Sequence, residues 1–378
     1  MKKYDHVDAL RGIAVLLVIL VHTGKFFSPE LFLHTAAKFG QYGVQLFFVM
    51  SAFTLCNSIN KIANFHVLDY CSFMLRRFFR IAPLYYLAIP IYFLFTYCFL
   101  HFTGDTPFTP PNEYSAFKVL SNIIFLHGLY PAGNNIIVPG GWSIGCEFLF
   151  YALFPLMFYL IKAKRMFFLY IGILSGACLA VLLALKHRAD GNSHWELLNN
   201  TYIYFSLFNQ MPCFLLGIAY YFYSGIKSFK NSIYYLSLPA LVALIYLHDS
   251  QFGSALTPLL AAIISVCAAL ILTNQTIPLL LKRIGEISFS MYIWHFIPAW
   301  ILGATIKATH IELFQSRVFD IAYYLLVVGI TYFASVISSR LIEIPCNNFG
   351  HRLSIKIQNA NYPAILKAPA PEVKSDSL

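Results

Sequence analysis

The stretch YDHVDALRGIAVLLVILVHTG, residues 4–24, decides how the chain is interpreted, because it places ionisable side chains in an otherwise apolar run. Its length and composition predict a membrane-spanning helix. Asp8, Arg11 and His22 are its polar exceptions, and at about 100° per residue they share one stripe of the helix about 60° wide. His22 would lie roughly 16 Å beyond Arg11, near the middle of the bilayer. Ionisable groups at that depth are costly and are therefore predicted to be functional.

The composition of the whole chain is that of a polytopic membrane protein. Hydrophobic residues make up 59% and charged residues 11% of its 378 residues, and the mean hydropathy is +0.67. A soluble domain carries about 25% charged residues. The formal net charge of +10 could suggest nucleic acid, but we interpret it as an excess of Lys and Arg in cytoplasmic loops and expect no nucleic-acid partner.

The hydropathy pattern predicts an all-α fold, with about ten transmembrane helices in one bundle. The apolar runs are 10–25, 40–58, 81–101, 143–161, 166–185, 201–223, 232–248, 255–273, 288–306 and 318–340. With the N-terminus in the cytoplasm, 19 of the 26 Lys and Arg residues fall on the inner side and 7 on the outer side. This bias predicts that both termini are cytoplasmic.

Two segments lie outside this count. Residues 116–130 are apolar but short, and we expect an interfacial or re-entrant helix on the outer face. The C-terminal end is polar and rich in proline. We therefore predict a transmembrane domain over residues 1–350 and a cytoplasmic tail over 351–378 that is disordered at its end.

The Asp8–Arg11–His22 stripe allows two interpretations. In the structural one, Asp8 and Arg11 form an ion pair at the membrane edge and His22 is bonded to a neighbouring helix. In the functional one, the neutral imidazole of His22 is a general base near pH 7, and Arg11 holds an anion or orients an acidic partner. Alignment on one stripe favours the functional interpretation.

The sequence RRFFR, residues 76–80, places three arginines within one helical turn. Basic residues at a cytoplasmic helix end can be simple membrane anchors. Arginine without lysine favours phosphate binding instead, because the guanidinium group binds phosphate through two parallel hydrogen bonds. Arg76, Arg77 and Arg80 are therefore candidate ligands for the phosphates of an acyl-coenzyme A.

Two further helices carry polar stripes. Ser143, Glu147 and Tyr151 follow one another at four-residue spacing after Trp142. An intramembrane Glu is costly unless it is paired, so it either positions the bundle or serves a site near His22 or an acceptor sugar. The second stripe comprises Ser288, Tyr292 and His295, which could form interhelical hydrogen bonds. In the functional interpretation, the residues expected to contact the acceptor or to support the catalytic residues are Trp142, Ser143, Tyr151, Ser288, Tyr292 and His295.

Three other polar features favour structural roles. Ser51, Thr54 and Ser58 share a helix face and are interpreted as packing contacts. Glu343 precedes Pro345, where we expect the last span to end, and is interpreted as a helix-end charge near Arg340. The eight cysteines contain no CxxC pair, so we expect no metal site.

In order along the chain, these motifs resemble the membrane acyltransferase 3 family of bacterial O-acyltransferases. They are D-x-L-R-G with a later His, F-F-V-x-S-A-F, R-R-x-x-R-I-x-P, W-S-x-x-x-E-x-x-F-Y, G-x-x-S-F-x-x-Y-x-x-H and E-x-P. They lie at Asp8–Gly12 with His22, Phe47–Phe53, Arg76–Pro83, Trp142–Tyr151, Gly285–His295 and Glu343–Pro345. The sequence departs from the family pattern at Ala52, Cys146 and Phe289.

The resemblance implies a multi-pass protein of the bacterial inner membrane that transfers an acyl group, usually acetyl from acetyl-CoA, to hydroxyls of surface or exported glycans. It implies that Arg11 and His22 are the essential pair, that Arg77 and Arg80 belong to the R-x-x-R motif, and that Glu147 is the motif glutamate. We expect acyl-CoA as a co-substrate and no permanently bound cofactor. The alternatives are a transporter or flippase of a glycan or lipid carrier, and a scaffolding membrane protein.

Overall fold

The computed structural model describes residues 4–27, 32–59, 67–104, 106–129, 133–162, 200–250, 253–309 and 316–361, and over these residues it is helical without strands. The helices are α1 Asp5–Gly24, α2 Phe32–Lys38, α3 Gly43–Ile59, α4 Val67–Thr103, α5 Ala116–Ile123, α6 Gly141–Lys162, α7 Asn200–Phe205, α8 Leu207–Tyr223, α9 Lys227–Leu247, α10 Gly253–Leu272, α11 Leu279–Glu286, α12 Ser288–Trp294, α13 Phe296–Ala308, α14 Arg317–Ser338 and α15 Ile344–Asn361.

The predicted all-helical membrane fold is confirmed in its general form. Within the described ranges, seven helical stretches are long and apolar enough to cross a membrane, and α12 with α13, bent by 41°, would be an eighth. The expected run 166–185 lies outside the described residues. The run 232–248 forms α9, which is not among these eight. The ten-span count and the cytoplasmic termini stay predictions.

Helix α1 lies at the centre of the bundle. It packs against α3 and α11 and contacts α12, α13 and α14. Its apolar side chains, such as Leu10, Ala14 and Val15, are fully buried, whereas Arg11 and His22 are half-buried. The apolar faces of α1 therefore hold it between its neighbours, and its polar stripe faces internal space.

The C-terminal span does not end where the sequence pattern suggested. A π-helical turn, Ser339–Glu343, joins α14 to α15, and the helix continues to Asn361. The turn lies where the Pro345 ring would meet the carbonyl group four residues earlier, and a wider turn accommodates that clash. Helix α15 runs across the predicted boundary at residue 350 and packs along α4.

The described part of the segment 116–130, residues 116–129, holds no helix long enough to cross the membrane, as expected. It contains the eight-residue helix α5 and a 3-10 turn, His127–Leu129. Asn122 accepts a hydrogen bond of 2.6 Å from Tyr85 of α4. The His127 ring lies 5.9 Å from the Tyr85 ring, so this segment packs against the middle of α4.

Replacing Gly285 with alanine is expected to destabilise the protein by about 1–3 kcal/mol. Gly285 lies where α11 meets α1, and an added Cβ would overlap the backbone carbonyl of Asp8. The backbones would have to separate. Thermal unfolding in detergent should show a lower midpoint for Gly285→Ala. The control Gly225→Ala adds its Cβ to open space and should leave the midpoint unchanged; equal midpoints for both variants would contradict this packing.

Candidate active site

His22 lies in the last turn of α1 with one ring nitrogen held by the protein. Its Nδ1 is 2.7 Å from the carbonyl oxygen of Val18 and 3.1 Å from Nε2 of His295. Since a carbonyl can only accept, Nδ1 of a neutral His22 carries the proton. Nε2 is then an unprotonated acceptor, and no described residue donates to it.

The break between α12 and α13 places His295 beside His22. His295 is fully buried, and its Nδ1 lies 2.8 Å from the carbonyl oxygen of Tyr292. Nδ1 therefore donates, which leaves Nε2 of His295 as an acceptor for the His22 Nδ1 proton. The ring of Phe296 lies 4.3 Å from the His22 ring. The hydrogen bonds of Nδ1 fix the His22 tautomer, and the Phe296 ring restricts the orientation of the imidazole.

His22 lines a cavity of about 370 Å³ at the end of the bundle where α1 finishes. Segments of the loops before and after α5 form part of its wall. The described residues lining it are Val18, Val21, His22, Lys25, Gln41, Val44, Pro107, Phe108, Thr109, Asn135, Ile136, Pro139, Gly140, Trp142, Tyr204, Phe205, Tyr292, Phe296 and Trp300. We call this space the large cavity.

Trp142, one of the predicted acceptor-side residues, forms part of the wall of the large cavity. Its ring stacks on Phe205 at 4.5 Å and meets Phe48 edge-on at 6.1 Å. These contacts hold the indole almost completely buried. The arrangement presents a rigid aromatic surface to the cavity.

A second space, of about 50 Å³, adjoins the large cavity and is called the small cavity. The described residues lining it are Arg11, Val44, Phe47, Phe48, Ser51, Arg80, Ile81, Ser143, Ile144, Glu147, Tyr151, Ser288, Phe289 and Tyr292. Val44 and Tyr292 belong to both cavities. The small cavity thus brings together predicted site residues from α1, α4, α6 and α12.

Tyr292 forms the partition between the two cavities. Its hydroxyl donates to the carbonyl oxygen of Gly140 at 2.9 Å and lies 2.7 Å from Ser143 Oγ. Gly140 has φ of +75°, a conformation that favours glycine and turns the chain into α6. Ser143 of α6 and Tyr292 of α12 therefore contact each other at this partition.

Glu147 is held by two hydroxyl groups at the small cavity. Its Oε1 accepts hydrogen bonds of 2.5 Å from Ser51 and of 2.5 Å from Tyr151. Arg11 donates a longer bond, 3.4 Å, to Thr54 Oγ1. The sequence pattern predicts that Ser51 is a packing residue, whereas in the tertiary structure its hydroxyl donates to Glu147.

The three arginines of residues 76–80 make different contacts. Arg80 lines the small cavity with Arg11. The Arg77 guanidinium lies 5.8 Å from the Tyr151 ring centre, and its buried Nε has no partner among the described residues. Arg76 is directed elsewhere, since it donates to Ser72 at 3.0 Å and to Ser354 of α15 at 3.2 Å.

Two acidic residues, Asp8 and Glu343, lie outside the lining of both cavities. Asp8 lies at the contact of α1 with α11 and acts electrostatically on Arg11, but it lines neither cavity. The interpretation of Glu343 as a helix-end charge is wrong. Glu343 is buried in the middle of a continuous helix and accepts a hydrogen bond of 2.7 Å from Ser290.

The arrangement joins a neutral imidazole base to a cationic site. His22 Nε2 faces a cavity large enough for a small organic substrate, and the guanidinium groups of Arg11 and Arg80 face the adjoining cavity. A base can take a proton from a hydroxyl group, and guanidinium groups can bind phosphate. This pairing fits transfer of a group from a phosphorylated donor to an alcohol.

Comparison with known proteins supports this chemistry. The family model Acyl_transf_3, described as "Acyltransferase domain", matches residues 4–340. A protein of Acidianus two-tailed virus named "Putative acetyltransferase ORF330" is 25% identical over 317 residues, which is 80% of this chain and 86% of the viral protein. "Protein 2 in picA locus" of Rhizobium radiobacter is 26% identical over 152 residues, 38% of this chain and 76% of that protein.

No solved structure matches this chain significantly. The family match spans the helices that carry both cavities, from α1 to the π-helical turn. The chain therefore belongs to the acyltransferase 3 family of multi-helix membrane acyltransferases.

Proposed function

We propose that the chain is an O-acyltransferase that moves an acyl group, usually acetyl, from acyl-CoA to a hydroxyl of a cell-surface or exported glycan or its lipid-linked precursor. The observation that carries this proposal is the free Nε2 of His22 in the large cavity, next to a small cavity lined by Arg11 and Arg80. Family membership supports acyl transfer, and the name of the viral relative supports acetyl.

In the proposed reaction, the acceptor hydroxyl lies against His22 Nε2 and attacks the thioester carbonyl carbon. Nε2 takes the hydroxyl proton as the new C–O bond forms. The C–S bond then breaks, and the imidazolium returns the proton to the departing thiolate. His295 and the Val18 carbonyl hold Nδ1, so Nε2 stays oriented towards the cavity.

The donor is proposed to enter from the end of the bundle where Arg80 lies. Arg80 and Arg11 would bind its phosphates, with Arg77 beside them. The small cavity is only about 50 Å³, which is too small for a pantetheine arm. The arm would reach His22 after Tyr292, the partition residue, moves aside. The Glu147–Ser51–Tyr151 contacts would keep the wall of this route in place.

The acceptor is proposed to enter the large cavity from the opposite end of the bundle. Trp142 and the other aromatic rings would pack against the apolar faces of a sugar. Ser143 and Ser288 would act indirectly, through the partition residue Tyr292. His295 would act indirectly, through its contact with His22. Asp8 would hold Arg11 in position electrostatically.

This arrangement suits a protein of the bacterial inner membrane with both termini in the cytoplasm, where acyl-CoA is found. We propose that it uses acyl-CoA as a co-substrate and no permanently bound cofactor. The alternative of a transporter or flippase gains no support from the family match.

Deleting the gene is expected to remove base-labile acetyl esters from the surface glycans of its cells. Saponification of isolated glycan, followed by measurement of released acetate, tests this. Intact-glycan mass spectrometry should show the loss of the mass of acetyl groups and its return on complementation. Unchanged ester content after deletion would contradict the proposed function.

A further inference from the structure

Resting on the function proposed above, we infer that the acceptor is an anionic glycan, whose carboxylate or phosphate group is bound by Lys25 at the mouth of the large cavity. Lys25 follows α1 directly and lies three residues after His22. One acceptor molecule could therefore place its anionic group on Lys25 and its hydroxyl group at His22, because the two residues lie on adjacent turns at the same end of α1.

The position of Lys25 is fixed by aromatic rings. Its Nζ lies 3.4 Å from the centre of the Trp300 ring and 5.1 Å from that of Phe26. Cation–π contacts hold an ammonium group in place without neutralising its charge. The side chain is exposed and lines the same cavity as His22. A ligand in the cavity can therefore reach this charge.

The charge on Lys25 is uncompensated within the described part of the chain. No described acidic side chain forms an ion pair with it, and none lines the large cavity. Lys307 of α13 lies nearby, with its Nζ 5.6 Å from the Phe26 ring centre. Partial desolvation of the ammonium group, and then the charge of Lys307, lower the pKa of Lys25 to about 8. A bound anion would relieve this repulsion.

The remaining lining suits a sugar. Trp142, Trp300 and Phe108 offer aromatic faces, and the amide groups of Gln41 and Asn135 offer donors and acceptors for hydroxyl groups. A volume of about 370 Å³ falls within the usual range for small-molecule sites.

Lys25 is too far from the proposed phosphate site to bind the donor phosphates. Lys25 is fourteen residues from Arg11, about 21 Å of helical rise. If the donor binds at Arg11 and Arg80, its phosphates lie at the other end of α1. The anion that meets Lys25 then belongs to the acceptor.

The test uses the full-length protein in detergent and three methyl glycosides. They are methyl glucuronide with a carboxylate, methyl glucoside 6-phosphate with a phosphate, and neutral methyl glucoside. Binding is followed by tryptophan fluorescence, since Trp142 and Trp300 line the cavity. The wild type is expected to bind at least one anionic glycoside about tenfold more tightly than the neutral one, and the better anion identifies carboxylate or phosphate as the group.

Lys25→Gln is expected to remove this preference, and Lys25→Arg to keep it. Lys38→Gln is the matched control, because Lys38 is an exposed lysine outside the cavity lining. Equal binding of all three glycosides, binding of none, or a preference that survives Lys25→Gln would overturn the inference.

Acyl transfer, measured as thiol release from acetyl-CoA, separates this inference from the proposed function. A preference for anions that depends on Lys25, without thiol release on any glycan, would refute the acyltransferase reaction and leave the anion site standing. Thiol release with equal rates on neutral and anionic acceptors would refute the anion site alone.

The pH dependence of glucuronide binding gives a second readout. Because the pKa of Lys25 is about 8, its charge is present below that pH and lost above it, so affinity should fall between pH 7 and 9. The other titratable groups near this end are His22 of α1, Tyr204 of α7, Tyr292 of α12 and Lys307 of α13. Lys25→Arg should flatten the fall; an equal fall in that variant would assign it to those groups and overturn the role of Lys25.

Discussion

Replacing His22 with alanine is expected to lower the rate of acyl transfer by about 10²–10⁴-fold, the range that a general base contributes. The reason is the ring orientation. Nδ1 is committed to the Val18 carbonyl and His295, so Nε2 is the nitrogen available to a hydroxyl in the large cavity. No other described imidazole lines that cavity.

The measurement is kcat for thiol release from acetyl-CoA in the presence of acceptor glycan. Protein level and unfolding temperature should stay near those of the wild type, because His22 is only half-buried. His101→Ala is the matched control, since His101 is exposed at the end of α4. A folded His22→Ala protein that keeps normal kcat would exclude the base.

The same variant addresses a covalent mechanism. If His22 relays the acyl group, the wild-type protein incubated with acetyl-CoA and no acceptor should gain one acetyl group on that residue. Peptide mass spectrometry after rapid quenching detects it. Absence of the adduct together with loss of activity in His22→Ala would favour direct transfer.

Relations between residues of the same helix could be predicted from the sequence. Arg11 and His22 were expected on one stripe of α1, and each lines a cavity in the structure. Helical periodicity fixes such relations locally. Glu147 and Tyr151 were likewise expected on one face, and they share a hydrogen bond.

Contacts between helices distant in sequence could not be predicted in this way. Ser51 bonds to Glu147 across 96 residues, and nothing in the periodicity of α3 indicates that partner. Glu343 bonds to Ser290 because the last helix continues past residue 340. The same continuation explains why Arg76 is directed away from Arg80. Its partner Ser354 lies on α15, a helix that the hydropathy pattern does not predict.

Replacing Arg80 with alanine is expected to raise the KM for acetyl-CoA by about 10- to 150-fold. A hydrogen bond to a charged group contributes about 1.5–3 kcal/mol, and each 1.4 kcal/mol is about tenfold in affinity. Arg80 lines the small cavity with Arg11, so its loss would remove one of two guanidinium groups proposed to bind the donor phosphates.

The sharpest measurement compares acetyl-CoA with acetyl-pantetheine, which has the thioester but no phosphate. Arg80→Ala should lower kcat/KM for acetyl-CoA and leave that for acetyl-pantetheine unchanged. Arg80→Lys should recover part of the loss, because it keeps the charge but not the two-bond geometry. Arg340→Ala, an exposed arginine outside both cavities, is the control.

An equal fall with both donors would mean that Arg80 maintains the shape of the small cavity and does not bind phosphate. A fall restricted to acetyl-CoA would place the phosphates at this end of α1. Since His22 lies roughly 16 Å of helical rise from Arg11, the pantetheine arm would then span that distance to bring its thioester to Nε2. The passage crosses Tyr292, whose bonds to Gly140 and Ser143 separate the cavities in this structure.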